Sequence, residues 1–118
     1  MSIKLSSRPI TYNDFDKVDM RVGQIQNVEP FPNARKPAYK LWIDFGPDLG
    51  IKQSSAQITA IYTPADLLNR RVIAVLNFPP KQIADFMSEV LVLGVDVPGK
   101  GVTLLGIAED ATPGCRVY

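Results

Sequence analysis

A chain of 118 residues has room for one ordinary domain and can bury a core without disulfides or metals as staples. Its residues are 46% hydrophobic and 21% charged with a net charge of +1, which excludes a disordered chain and names no partner by gross charge. Ten prolines and eight glycines at short intervals favour many short strands and turns over a few long helices. In chain order, Thr11-Tyr12-Asn13-Asp14 reads as a capping box opening a short helix. Phe15 and Val18 fall on one face of that helix, predicting a lid on a sheet. Residues 20–28 predict a first strand, with Gly23 where strong curvature needs a kink or bulge. Residues 30–37 carry three prolines and the cations Arg35 and Lys36, and predict an exposed loop. Residues 39–45 alternate, placing Tyr39, Leu41, Ile43 and Phe45 on one face and Lys40, Trp42 and Asp44 on a wet or interfacial face.

Gly46-Pro47-Asp48-Leu49-Gly50 closes a turn, and residues 51–58 predict a polar third strand with few side chains for a core. Thr63-Pro64-Ala65-Asp66 starts a second short helix, with Thr63 as N-cap and proline at the first helical position, ending near Asn69. Residues 72–76 are continuously apolar and predict the most buried strand, stopped by Asn77-Phe78-Pro79-Pro80. Residues 90–94 and 102–107 predict the remaining strands, before a turn at Pro113-Gly114. Three strands, a short helix, then two strands and an extension is the order of an OB-fold. This is an all-β, five-stranded Greek-key barrel whose exposed strand 2–3 face commonly binds oligonucleotides. The expected organisation is one such domain over residues 1–118, with an N-terminal helix and a C-terminal extension.

The single Cys115 has no intramolecular partner and suits a reducing compartment, so a cytoplasmic location is expected. Residues 1–5 lack the apolar stretch of a signal peptide and no run reaches membrane-spanning length, so neither export nor membrane insertion of the chain is expected. Histidine is absent, which removes the commonest catalytic base and neutral metal ligand; a lone cysteine excludes a typical structural zinc site. Ser54-Ser55 has no identifiable base partner, and no glycine-rich phosphate loop occurs. The reading is therefore non-enzymatic, with no catalytic residue, metal site or cofactor.

Arg21-Val22-Gly23-Gln24-Ile25, Lys52-Gln53-Ser54-Ser55, Asn77-Phe78-Pro79-Pro80 and Ser88-Glu89 resemble the landmarks of the tRNA-binding domain superfamily, which includes the C-terminal domain of methionyl-tRNA synthetase. Within it, residues 33–41 and 77–83 are similar almost letter for letter to the CsaA family of bacterial secretion chaperones. That resemblance covers nearly the whole chain. It implies a homodimer that binds unfolded or precursor polypeptides in connection with the export machinery. The open edges of a barrel fit a dimer, with the N-terminal helix and C-terminal strand as covering material.

The side chains support two ligands. Between residues 21 and 81 eight cations face four acids, whereas from residue 82 onward five acids face two cations, so the near-neutral total hides an uneven chain. For tRNA or another structured RNA, Arg35, Lys36, Lys40, Lys52 and Lys81 would contact phosphates, with Trp42, Phe78 or Phe31 as stacking surfaces. For polypeptide, Gln53 and Ser55 would meet an extended backbone, with Trp42, Asn77, Phe78 and Pro79 as pocket walls. The structural alternatives stay open: solvated surface charge for each cation, an interface or the loop at Pro32 for Trp42, and a stiff turn for residues 77–80.

Overall fold

The alternation through residues 39–45 organises the molecule. In the computed structural model, which describes residues 8–118, the elements in chain order are α1 (Tyr12–Asp16), β1 (Met20–Pro30), β2 (Tyr39–Asp44), β3 (Ile51–Ala56), α2 (Pro64–Leu67), β4 (Arg71–Val75), β5 (Lys81–Ile83), β6 (Phe86–Ser88), β7 (Leu91–Val92), β8 (Gly94–Val97) and β9 (Gly101–Leu104). The reading of residues 1–5 lies outside the described residues. An antiparallel five-stranded sheet runs β3-β2-β1-β4-β7, and β5-β6 and β8-β9 form two separate hairpins. The sheet nearly closes on itself. Along the seam with β3, Glu89 N donates to Gln53 O (2.9 Å), Gln53 N donates to Glu89 Oε1 (3.0 Å) and Ser55 N donates to Ser88 Oγ (3.0 Å). Side chains therefore do most of what a strand ladder would do elsewhere. The result is the expected OB-fold: mostly β, with short helices.

Inside the barrel, Ile25, Leu41, Ile43 and Leu67 are fully buried, with Phe45 and Val72 nearly so. Ser54, from the polar third strand, is also fully buried; its hydroxyl lies 3.1 Å from Val90 O and 3.0 Å from Ser55 O. That pairing is what makes a core hydroxyl tolerable, since a buried polar group without a partner costs about 1–3 kcal/mol. α2 forms between β3 and β4 as expected. Thr63 and Asp66 form a reciprocal capping box, Pro64 sits in the first turn, and Leu67 is buried. Asn69 then takes a left-handed φ of 68°, which asparagine tolerates, and its N–H donates to Ile25 O (2.8 Å).

Several expectations are corrected. Gly23 is not the bulge: it pairs with Val72 in register, and a Cβ there would lie 2.5 Å from Ile43 Cγ2 and 2.6 Å from the Phe45 ring. Its role is close approach of side chains, while the β1–β2 register shifts between Ile25 and Asn27. α1 is a five-residue helix with its capping box formed but no buried residue, so it is no lid. β4, by contrast, is the most buried strand, as expected: Val72, Ala74 and Val75 are buried and Arg71 and Ile73 partly so. The strand expected at 90–94 contributes only Leu91 and Val92 to the sheet. The chain then enters β8, with Gly94 packed so tightly on β9 that a Cβ would lie 2.6 Å from Val102 Cγ1. The last expected strand ends at Leu104 and pairs with β8. The C-terminal segment instead covers the start of β1: Val22 N donates to Cys115 O (2.9 Å), Gly114 N to Val22 O (2.7 Å) and Val117 N to Met20 O (2.9 Å).

Candidate functional site

The outer face of β2, expected to be wet or interfacial, is roofed by a hairpin. Residues 81–88 fold back on themselves through a two-residue connection, Ala84-Asp85, with Lys81 opposite Ser88 and Ile83 opposite Phe86. The Phe86 ring sits 5.5 Å from Phe31 and 5.9 Å from Trp42, edge-on to both. Phe31, Ala38 and Phe86 are buried together, with Ala34, Trp42 and Ile83 packed around them. Lys40 Nζ lies over the Phe31 ring (4.9 Å) and the Phe86 ring (5.3 Å), a double cation–π contact that joins strand, loop and hairpin. Gln53 Nε2 donates to Met87 O (2.8 Å) and completes the fastening.

This hairpin is absent from the sequence reading. Its strands are three residues long and its connection lacks the glycine or asparagine that usually marks so tight a turn; Ala84 takes a φ of 51° instead. The available signal was weak: the apolar Ile83 and Phe86 flank a polar two-residue break.

Where the hairpin meets the stiff segment after β4, a cavity of about 250 Å³ opens, with Ser55, Phe78, Pro79, Lys81, Ile83 and Leu91 in its lining. Phe78 is 51% exposed and Leu91 49%, so two large apolar side chains stand at the surface beside one ammonium group. Ser88 Oγ, also at the wall, accepts from Ser55 N and keeps its proton for a ligand. Glu89 is at the rim too, but one of its carboxylate oxygens is held by Gln53 N. Chemically the hollow suits an apolar group attached to a hydrogen-bond acceptor or an anion.

The residues singled out from the sequence are thus distributed unevenly. Phe78, Pro79, Ser55 and Lys81 come together in the cavity. Trp42 is half-buried against Phe86, and the Gln53 amide is bonded to the hairpin. Asn77 faces the other way: its Oδ1 accepts from Asp19 N (2.9 Å) and its Nδ2 donates to Lys17 O (2.6 Å), so it pins the α1–β1 connection beneath the Phe78 wall. Phe31 is 4% exposed and offers no free stacking face.

The cations separate by partnership. Arg21, Arg71 and Arg116 are paired with Asp19, Asp110 and Asp16, and all three also bond backbone carbonyls within the fold. Arg35, Lys36, Lys40, Lys52 and Lys81 form no ion pair among the described residues. They do not form one patch, however. In the β2–β3 register Lys40 stands opposite Ser55, whereas Lys52 stands opposite Ile43 and so belongs to the other face of the sheet. Among the described residues, no cluster of three metal-ligating side chains occurs, and no helix is long and apolar enough to cross a membrane.

A barrel of this topology, with an open hollow beside its third strand, is of the OB-fold class. Residues 20–116 match the family described as a putative tRNA binding domain, and the chain belongs to that family. Among solved structures, it superimposes on a CsaA chaperone protein from Picrophilus torridus with a TM-score of 0.88 and 55% identity, covering 93% of this chain and all of that one. A chaperone CsaA from Bacillus anthracis gives 0.87 and 46%, covering 94% of this chain and all of that one. The chain is a homologue of the CsaA chaperones. A methionine–tRNA ligase from Rhodopirellula baltica is 39% identical over 109 residues, which are 92% of this chain but only 16% of the ligase.

Proposed function

We propose that this protein is a non-enzymatic, export-related chaperone of CsaA type, acting in the cytoplasm as a homodimer of one-module subunits that bind unfolded or precursor polypeptides. The observation that carries this reading is the cavity between Phe78, Pro79, Leu91 and Lys81, where exposed apolar side chains adjoin a cation without a carboxylate partner. An unfolded chain supplies apolar side chains to such a hollow and backbone carbonyls to Lys81 and Ser88. Burying one apolar side chain stabilises a complex by about 1.5–3 kcal/mol, and shallow apolar walls accept many sequences.

The test is a titration of a fluorescently labelled unfolded precursor against wild type and Phe78→Ala. Loss of the ring is expected to weaken binding roughly tenfold or more, that factor corresponding to about 1.4 kcal/mol. Unchanged affinity overturns the assignment of the cavity. Ultracentrifugation at micromolar concentration tests the dimer: only a species near 13.0 kDa counts against it.

A second reading, binding of tRNA or another structured RNA, is favoured by Arg35, Lys36, Lys40, Lys52 and Lys81, none of which has a carboxylate partner among the described residues, and by the family. Phosphate contacts release counterions, so RNA affinity must fall steeply with salt, whereas apolar polypeptide binding must not. Tight, salt-sensitive tRNA binding that an unfolded precursor fails to displace replaces the first reading with the second.

A further inference from the structure

A second hollow lies on the opposite side of the small aromatic cluster. The loop between β1 and β2 and the first residue of β2 enclose a groove of about 430 Å³, lined among others by Pro30, Phe31, Ala34, Arg35, Ala38 and Tyr39. Phe31, Ala34 and Ala38 belong to the same cluster as Ile83, which lines the cavity at Phe78. One group of packed side chains is therefore a wall to both hollows. Tyr39 points to the barrel side of β2, where its hydroxyl donates to Tyr62 O (2.8 Å), so the link between the hollows is the outer cluster itself.

The charges run the same way. Arg35 is the one charged residue of the groove lining and Lys36 follows it, both exposed and neither in an ion pair. Lys40 stands on the ridge over Phe31 and Phe86, and Lys81 is in the cavity. The acid at the cavity rim, Glu89, is engaged by Gln53 N.

We propose that the groove and the cavity are two subsites of one track, which takes an extended polypeptide with apolar side chains at two points and an acidic residue near the groove. The inference rests on the polypeptide reading above. It adds a second anchor point, a ligand length and a charge preference. Two linked anchors act at a high effective local concentration, so a ligand spanning both gains affinity without any new kind of contact. An extended chain advances about 3.3 Å per residue, so a peptide of roughly ten residues covers both hollows and one of four residues covers only one.

The experiment compares two fluorescent peptides on the full chain: a four-residue apolar peptide, and a ten-residue peptide with an aromatic residue near each end and two glutamates toward one of them. Wild type is expected to bind the long peptide at least tenfold more tightly. Ala34→Trp, which fills the groove, and Arg35→Glu, which reverses its charge, are each expected to abolish that advantage while leaving the short peptide unchanged. Arg35→Glu is at an exposed loop position and serves where Ala34→Trp perturbs folding, with Trp42 emission reporting an intact cluster. If the short peptide binds and the long one is no tighter, or if neither variant affects the long peptide, the two-subsite inference fails and the cavity assignment stands. If neither peptide binds wild type, both fail. Loss of tRNA binding in Arg35→Glu with peptide affinities intact assigns the groove to nucleic acid and overturns the inference.

Discussion

The molecule has two apolar assemblies that differ in how they are built. The barrel core takes alternate residues from paired strands, so Leu41 and Ile43 point inward because every second residue of β2 must, and Phe45 continues the series just past its end. The outer cluster takes Phe31 from a loop, Ala38 from the residue before a strand, Trp42 from the opposite face of β2 and Phe86 from a hairpin. The core is large and closed on all sides; the outer cluster is small and flanked by open hollows. The candidate binding face is thus carried on the minor assembly, outside the barrel core.

The sharpest way to break this contrast is to truncate one residue of each assembly. Phe45→Ala removes a ring that is 1% exposed and is expected to cost about 3–5 kcal/mol, destabilising the whole chain in one cooperative urea transition. Gly23 shows how little slack that core has, because even a methyl group there meets Ile43 and Phe45. Phe86→Ala removes a ring from the outer cluster and is expected to cost roughly 2–3 kcal/mol, below the usual Phe→Ala range because its surroundings are partly open to solvent. Its signature differs in kind: amide protection falls in residues 81–88, while β2 and β4 keep theirs. Equal loss of protection in both regions would show that the two assemblies are one.

The smallest expected effect concerns the cap that holds α2 and its buried Leu67 against the core. The Thr63 backbone N–H, then the Thr63 hydroxyl, hold the Asp66 carboxyl below its ordinary value, with Arg70 adding to this and desolvation opposing it. A carboxyl whose pKa is depressed in the folded state stabilises fully above its unfolded value of about 3.9 and loses that contribution as pH falls through the folded value. Asp66→Asn is therefore expected to flatten the dependence of the urea midpoint on pH below about 4 and to leave its slope near neutrality unchanged. Identical acid limbs in the two proteins would remove the cap from the account.

Legibility in the sequence followed the same division. The order of the principal strands and helices was readable because each element carries a local signal: alternation in β2, capping boxes at Thr11 and Thr63, and Pro64 in the first helical turn. Phe78, Pro79, Ser55 and Lys81 could be singled out one by one, and the structure does gather them in a single cavity. Asn77 and Gln53 were singled out for their type, yet their amides are spent on Asp19, Lys17 and Met87, which lie far away in the chain. Residue type gives a side chain's bonding capacity; only its neighbours decide whether that capacity is free.

By itself, then, the sequence determined the order of strands and short helices, because alternation in residues 39–45, the apolar run at 72–76 and the capping boxes are local signals, and that order is the OB-fold's. Tertiary structure alone decided that Gly23 is a site of close approach, that the 81–88 hairpin roofs Trp42, and that Lys40 and Lys52 lie on opposite faces of the sheet. Each of these depends on register and contact between segments distant in sequence, and a one-residue slip in register would exchange the faces without changing the local signal.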